Sequence, residues 1–260
     1  MSRASAWQGW ASARRTIAFV TASSAIRFDG NDLLMEYNQV ERVVLESEDQ
    51  GAMETYGNPT FRGNVLRYNS FAFIGPRTPR KWPPFRAGIR LDDAITGTLV
   101  YGNIFFQASQ GFGGVNINGG RDNIMDNNIF AECEKGITGN YDANNEQWKG
   151  LGKHPAFVMS ELYLKRYPGL SRLQEQPGLN SAWRNVFWKC GPLFTTYDQP
   201  SANKFDLLAN AVYAASDPGF VDAAKGDFRL NPDAEVFRSI GFRPIPVEEI
   251  GLYQDEYRAN

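Results

Sequence analysis

The stretch GGRDNIMDNNIFAEC, residues 119–133, places the adjacent asparagines Asn127 and Asn128 between two short apolar runs. Asparagine is a poor residue for the interior of a strand or a helix, so its presence inside an apolar run needs a reason. Four other segments align with this one when each is anchored on the equivalent of Asn128. Their anchors are Asn38, Asn69, Asn103 and Asn185. The stretch is therefore one unit of an internal repeat and not an isolated turn.

Each repeat unit has an apolar residue two positions after its anchor. These residues are Val40, Phe71, Phe105, Phe130 and Phe187. Each anchor is also followed by a second element, in most units a glycine and then alternating apolar and polar residues, which is typical of a half-buried strand. This element occupies residues 51–57, 88–94, 114–120, 136–142 and 191–198.

The anchors are separated by 31, 34, 25 and 57 residues, a period that fits the coils of a β-solenoid with insertions of different length. We expect the anchor asparagine itself to turn the chain, because asparagine tolerates left-handed backbone conformations. Coils stacked about 4.8 Å apart would also let equivalent asparagines hydrogen-bond along the axis. The phenylalanine column is expected to form an internal stack of rings.

The chain divides into four segments by this pattern. Residues 1–22 are interpreted as an irregular leader, and residues 23–200 as the coils of the solenoid. Residues 141–177 interrupt the coils, and apolar residues at helical spacing in 161–176 predict a helix there. Residues 201–260 are expected to form an irregular tail that packs on the solenoid, because the ends of a solenoid need to be covered.

Composition narrows the classes of partner. The chain has 42% hydrophobic and 22% charged residues, which is ordinary for a folded domain and does not favour disorder. A net charge of −2 without a long basic run argues against nucleic acid or an anionic membrane as partner. No apolar run approaches the roughly 20 residues of a membrane span.

Histidine and cysteine are too few for the common metal and nucleophile sites. The one histidine, His154, lies in the predicted excursion and argues against a multi-histidine zinc site or a histidine-dependent triad. The two cysteines, Cys133 and Cys190, share one column of the repeat, five residues after their anchors. We expect two neighbouring buried thiols, with a disulfide as the alternative that the sequence leaves open.

The repeat units and the tail resemble the right-handed parallel β-helix proteins of the pectate-lyase-like superfold. The resemblance rests on residues 25–53, 88–105 and 119–133 and on the DPGF…GDFRL tail, and covers roughly residues 23–258. It implies an all-β, right-handed parallel β-helix, similar to secreted bacterial carbohydrate-active members that include a glycosidase family with α-L-fucosidase and xylanase activities. Members are usually longer, so the resemblance predicts an N-terminally truncated chain whose first coil exposes an edge for self-association.

Two acidic clusters are the sharpest functional signal, and the resemblance maps both onto positions that the family keeps acidic. Glu48 and Asp49 precede one Gly-strand, and Asp92 and Asp93 end the next. Glycosidases need two carboxylates, one protonated as the general acid and one ionised as the nucleophile or base. Asp49 and Asp92 are the predicted pair, with Asp93 and Glu48 as substitutes.

Alternation predicts a polar strip on the outward face of neighbouring coils, which would hold a sugar chain by hydrogen bonds and ring stacking. Its residues beside the acidic cluster are Arg90, Asn116, Asn118, Thr138 and Asn140. The alternative is a solvated sheet face without a ligand.

The predicted function is hydrolysis of a plant or microbial polysaccharide or oligosaccharide, without a cofactor. One alternative is a polysaccharide lyase in which clustered carboxylates hold Ca²⁺ and Arg90 or a lysine is the base. Another is a carbohydrate-binding or structural β-helix without activity. The resemblance implies a secreted or periplasmic protein, although Arg14-Arg15 and the diluted apolar run after them do not make a convincing signal peptide.

Overall fold

The computed structural model describes the backbone of residues 12–14 and residues 21–76, 84–140, 160–172, 179–196 and 205–251. In this part of the chain the strands form three long parallel sheets, and successive coils contribute one strand to each. The protein is thus an all-β parallel β-helix, as the repeat predicts. His154 lies outside the described residues.

The three sheets follow one another within every coil. Sheet A contains Ser12–Arg14, Leu34–Glu36, Val65–Arg67, Leu99–Tyr101, Ile124–Asp126, Asn180–Trp183 and Phe205–Asp206. Sheet B contains Gln39–Glu41, Ser70–Ala72, Ile104–Phe106, Ile129–Ala131, Val186–Trp188 and Ala211–Tyr213. Sheet C contains Ile26–Arg27, Gln50–Tyr56, Arg86–Asp92, Val115–Asn118, Ile137–Asn140 and Phe194–Thr196, with Ser109–Gln110 antiparallel to the third of these strands.

The anchor asparagines form the predicted ladder between sheets A and B. The Nδ2 of each anchor donates to the Oδ1 of the next, at 2.8 Å from Asn38 to Asn69 and at 3.0 Å from Asn103 to Asn128. Each of these Oδ1 atoms also accepts from the backbone N–H of the preceding anchor. The ladder continues beyond Asn185 to a sixth anchor, Asn210, at 2.9 Å. Buried amides that satisfy one another in this way hold every coil in register.

The expectation that the anchor itself turns the chain is wrong. The residue before each anchor has the positive φ: 60° at Tyr37, 54° at Tyr68, 62° at Gly102 and 61° at Asn127. In the opening motif Asn127 therefore makes the corner, and Asn128 is buried for hydrogen bonding. The left-handed position is open to several residue types, whereas the ladder needs a side chain with both a donor and an acceptor.

The sixth coil lies in the segment that the sequence pattern assigns to the tail. Phe205–Asp206 and Ala211–Tyr213 pair in parallel with the strands of the fifth coil. The repeat is weak in this coil, because Val212 lies in the aromatic column and Asp206 lies in a column where four coils have an apolar residue. At the other end, Ser12–Arg14 pairs with Leu34–Glu36, so part of the predicted irregular leader belongs to sheet A.

The phenylalanine column is an internal stack, as predicted. Phe71, Phe105, Phe130 and Phe187 are fully buried. Successive ring centroids are 5.0, 4.8 and 4.7 Å apart, with interplanar angles of 7°, 8° and 4°. Since parallel in-register strands place equivalent side chains one above the other, each of the four coils with phenylalanine in this column adds a ring to the same stack.

Replacing Phe130 by leucine is expected to lower the free energy of unfolding by about 1–3 kcal/mol, because the apolar volume is largely kept while two ring contacts are lost. Urea denaturation of the variant and of wild type measures the difference. Phe85→Leu is the matched control, since Phe85 is partly exposed and lies outside the stack. Equal losses in the two variants would contradict a stabilising role of the stack.

Cys133 and Cys190 are free thiols in adjacent coils, as the sequence predicts. Cys133 Sγ donates to the carbonyl of Phe105, and Cys190 Sγ donates to the carbonyl of Phe130. Burial raises the pKa of Cys133 well above its ordinary value, which keeps this thiol neutral. Both side chains act as small apolar residues of the core.

The predicted excursion contains the helix α1, Glu161–Arg166, followed by the 3₁₀ helix Pro168–Arg172. It is docked on the first coils by the bidentate contact of Arg166 with Asp32, at 2.8 and 2.9 Å. Buried Leu170 packs against Ala94, directly after Asp93. Within the described residues, no helix is long and apolar enough to cross a membrane.

The part of the chain after the sixth coil packs on the outward face of sheet B. It contains the antiparallel strands Phe220–Asp222 and Asp227–Leu230, the helix α2, Val236–Ser239, and the 3₁₀ helices Ala223–Lys225 and Val247–Glu249. A second apolar cluster joins the two parts, with Ile129, Val186 and Trp188 from sheet B facing Phe220 and Phe228 from the tail.

Candidate active site

A cleft of about 250 Å³ opens at the outward side of sheet C in the first coils. It brings together the aspartates of both predicted acidic clusters. Its lining residues are Arg27, Asp49, Gln50, Glu54, Thr55, Tyr56, Arg90, Asp92 and Asp93.

Arg90 lies at the centre of the cleft and joins the two acidic clusters. Its Nη2 is 2.9 Å from Asp49 Oδ1 and 2.9 Å from Asp92 Oδ2. Arg90 Nη1 also donates to the backbone carbonyl of Asp49. The guanidinium is buried and lies 5.1 Å from the ring centroid of Phe112. A buried cation held by two carboxylates is electrostatically satisfied only while both partners are present.

Gly51 allows this close approach. A Cβ atom at this position would lie 2.7 Å from the backbone nitrogen of Arg90, a distance that real side chains do not tolerate. Because glycine has no Cβ, the chain around Asp49 can pack directly against the strand that carries Arg90. Any larger residue here would move Asp49 away from the cleft.

The two aspartates bound to Arg90 differ in exposure. The Asp49 side chain is 68% exposed, whereas that of Asp92 is 17% exposed. Asp92 is held from a second side by Asn118, whose Nδ2 donates to Asp92 Oδ1 at 2.7 Å.

Asp93 is the carboxyl group of the cleft whose protonated form is favoured. Partial burial raises its pKa above the ordinary value, and the nearby charges of Asp92 and Asp49 act in the same direction. The positive charge of Arg90 opposes the shift without cancelling it. Of the four carboxyl groups that line the cleft, Asp49 and Asp92 are paired with Arg90, Glu54 is buried beside Gly51, and Asp93 is the one whose pKa is raised.

The other predicted site residues have different surroundings. Glu48 is exposed and does not line the cleft. Asn116 and Thr138 lie on the outward face but are buried, and Asn116 Nδ2 donates to Thr138 Oγ1 at 2.9 Å. Thr138 Oγ1 also accepts from the backbone N–H of Gly113, which crosses over this part of the sheet. These two residues therefore have structural contacts and no surface for a ligand.

Asn140 and Asn118 remain at the border of this face. Asn140 Oδ1 accepts from the backbone N–H of Gly119 at 3.1 Å, so it supports the turn after sheet C. Asn118 contacts Asp92 and is the member of the predicted polar strip, besides Arg90, that touches the acidic cluster.

Five lining residues are absent from the sequence-based prediction, and these are Arg27, Gln50, Glu54, Thr55 and Tyr56. The guanidinium of Arg27 lies 3.8 Å from the ring centroid of Tyr56, which forms one wall. Glu54 is buried, and its Oε2 accepts from the backbone N–H of Gly51 at 3.2 Å. The register would have revealed Arg27 and Glu54, because both share a row with Arg90 on sheet C.

A calcium site, which the lyase alternative requires, is not formed by the side chains that the structure describes. Among them, no group of three or more histidine, cysteine, aspartate or glutamate side chains could hold a metal ion. In the acidic cleft the guanidinium of Arg90 already lies between Asp49 and Asp92. A divalent cation at this point would have to displace it.

The fold and the cleft together define a parallel β-helix with an acidic site on its outward face. Comparison with protein families, curated proteins and solved structures finds no match to the chain. The chemistry of the cleft therefore has to be inferred from its own residues.

Proposed function

We propose that the protein is a glycoside hydrolase that acts on a polysaccharide. The observation that carries the proposal is the convergence of Asp49, Asp92 and Asp93 on one cleft around Arg90. Glycoside hydrolysis needs two carboxyl groups in different protonation states, and the raised pKa of Asp93 makes it the candidate for the protonated one.

Asp93 has the properties of the general acid. Its raised pKa allows it to carry a proton to the leaving-group oxygen. Asp92 is assigned the role of nucleophile or base, since its ion pair with Arg90 and its bond from Asn118 stabilise negative charge and fix its orientation. The more exposed Asp49 is assigned to hold Arg90 in place. The predicted pair of Asp49 and Asp92 is thereby replaced by Asp92 and Asp93.

The aromatic and amide groups around the acids suit a sugar ring. The Tyr56 side chain is exposed beside the cleft, with the guanidinium of Arg27 against its ring. Gln50 lies at the border of the cleft, and its Oε1 accepts from the hydroxyl groups of Ser23 and Ser47. Sugars bind through stacking on aromatic rings and through hydrogen bonds to their hydroxyl groups. The resemblance to pectate-lyase-like β-helix proteins supports a glycan substrate and a secreted or periplasmic location.

The lyase alternative is less well supported by the cleft. β-Elimination requires a base that is free to accept a proton from carbon. The guanidinium of Arg90 is instead ion-paired with two carboxylates. This group is the donor in both ion pairs and in the hydrogen bond to the carbonyl of Asp49. It is suited to orient carboxylates and not to remove a proton from carbon.

Activity on a panel of neutral and acidic plant polysaccharides tests the proposal. New reducing ends without ultraviolet absorbance are expected from hydrolysis. Unsaturated products that absorb in the ultraviolet would instead indicate a lyase, and loss of activity with a chelator would support metal assistance. Glycan binding without any cleavage would refute hydrolysis and support the alternative of a carbohydrate-binding module.

The raised pKa of Asp93 predicts a pH effect on stability. The folded state binds this proton more tightly than the unfolded state, so the contribution of Asp93 to stability is lost as the pH rises from 3.8 through the folded pKa. Asp93→Asn is expected to raise the free energy of unfolding near neutral pH by less than about 1 kcal/mol, since solvent screens a partly exposed group. Below pH 3.8 the two proteins should be equally stable.

Urea denaturation at neutral and acidic pH measures this difference, with Glu48→Gln as the exposed control. If Asp93→Asn lost more stability at neutral than at acidic pH, the predicted direction of the pH effect would be wrong.

The raised pKa of Asp93 also predicts that hydrolysis declines as the pH rises through this pKa, because a deprotonated acid cannot protonate the leaving group.

A further inference from the structure

A large cavity lies on a different sheet from the acidic cleft. It is a groove of about 550 Å³ between the outward face of sheet B and the tail. This volume is within the usual range of ligand pockets. We call it the sheet B groove, and its floor and walls include Gln39, Glu41, Ser70, Phe73, Phe106 and Phe228.

The groove exists because the outward face of sheet B changes character along the solenoid. One row of this face runs through the register Gln39, Ser70, Ile104, Ile129 and Val186. The apolar end of the row is buried under the tail, as the cluster with Phe220 and Phe228 shows. The polar end is not covered in the same way, and Gln39 and Ser70 remain partly exposed.

The polar groups of the floor are available for a ligand. Among the described residues, the hydroxyl of Ser70 has no hydrogen-bond partner, and the amide of Gln39 makes only a long contact of 3.5 Å with Glu41. A hydroxyl and an amide offer donors as well as acceptors, which matches the hydroxyl groups of a sugar.

The wall of the groove is aromatic. Phe73 and Phe106 have ring centroids 5.1 Å apart, and Phe106 and Phe228 have centroids 5.0 Å apart. The three rings make a continuous apolar surface beside the polar floor. A sugar ring has one apolar C–H face and a polar rim, so both surfaces of the groove find a counterpart.

The charges of the groove favour a neutral ligand. Glu41 is paired with Arg42 at 3.3 Å, and Lys225 is paired with Asp222 at 2.8 Å. Both charged residues among the described lining of the groove are therefore paired with a residue of opposite charge, and neither sign of charge is in excess to attract an acidic or a basic ligand.

We propose that the sheet B groove binds a short segment of a neutral glycan as a second, non-catalytic site. The proposal goes beyond the proposed function and shares with it only the class of ligand. A polysaccharide held on sheet B would keep the protein on its substrate while the acidic cleft on sheet C acts on another part of it.

The test is titration of xylohexaose and cellohexaose into the Asp92→Asn variant, which should leave both sugars intact, followed by NMR and calorimetry. We expect at least one sugar to bind with a Kd of about 1 mM or lower, when added to about 5 mM. Ser70→Trp in the same background fills the groove and should raise this Kd at least about tenfold. Ser239→Trp, at an exposed residue of α2, is the matched control and should leave binding unchanged.

Absence of binding by either sugar, or binding that is unaffected by Ser70→Trp, would overturn the proposal. If Ser70→Trp does not fold, as judged by circular dichroism, the double variant Gln39→Ala and Glu41→Ala removes the polar floor without added bulk and should weaken binding equally. Binding at the groove without hydrolysis by the wild-type protein would refute the proposed function alone. Hydrolysis without binding at the groove would refute this second site alone.

Discussion

Asp92→Asn is expected to reduce glycoside hydrolysis at least about a thousandfold, since this aspartate is assigned the role of nucleophile or base. Asparagine has nearly the same shape, and its Oδ1 can still accept from Arg90, which keeps Asp49 as its carboxylate partner. Its Nδ2 can donate to Asn118 once the amide of Asn118 turns its oxygen toward it. What is lost is the negative charge that faces the sugar. The measurement is kcat and KM on the polysaccharide that the wild-type protein cleaves, with urea denaturation to show that the variant is folded.

Glu48→Gln is the matched control for this experiment. Glu48 is the acidic residue next to Asp49 in the chain, yet it is exposed and outside the cleft. Its neutralisation should leave kcat within about twofold of wild type, because an exposed charge beyond the cleft is strongly screened. Activity that survives in Asp92→Asn, or that falls equally in Glu48→Gln, would refute the assignment of Asp92.

Asn128→Ala is expected to lower the free energy of unfolding by about 3–5 kcal/mol, because it leaves several buried polar groups without partners. Asn128 Oδ1 accepts from both the backbone N–H and the Nδ2 of Asn103. Its Nδ2 donates to the carbonyl of Val100 and to Asn185 Oδ1. Alanine removes all four bonds at the centre of the ladder, where water cannot replace them.

Asn38→Ala provides the matched control, since Asn38 is the first described rung of the same ladder. Its Nδ2 donates to Asn69 Oδ1 and to the carbonyl of Glu36. Fewer buried polar groups are left without a hydrogen bond in Asn38→Ala. We therefore expect its loss of unfolding free energy to be less than about half of that in Asn128→Ala. Urea denaturation of both variants measures the two losses of unfolding free energy. Equal losses at the two positions would show that the ladder does not act as a buried network.

Register is the part of the fold that could be predicted from residue types. Asn69, Asn103 and Asn128 mark equivalent positions because each must both donate and accept along the axis. The phenylalanines two positions later are equally informative, since only in-register stacking brings Phe105 and Phe130 face to face. Neither pattern revealed the sixth coil, because Val212 stands where four coils have phenylalanine and Asp206 stands where four coils have an apolar residue.

The acidic site was predictable in its members and not in its arrangement. Asp49, Asp92 and Asp93 stand out in the sequence, but their spacing does not reveal that Arg90 contacts two of them. Nor does it reveal that partial burial raises the pKa of Asp93. Protonation depends on solvent exposure and on neighbouring charges, which are set by the packing of adjacent coils.

The sequence by itself determined a repeating solenoid with an asparagine ladder and an aromatic stack, because these contacts join equivalent positions of successive units. Tertiary structure alone decided which outward polar residues are accessible. Asn116 and Thr138 share the alternation of Arg90, yet Gly113 crosses above them and leaves them buried. Alternation sets the side of the sheet on which a residue lies, whereas the chain that packs over that side decides whether a ligand can reach it.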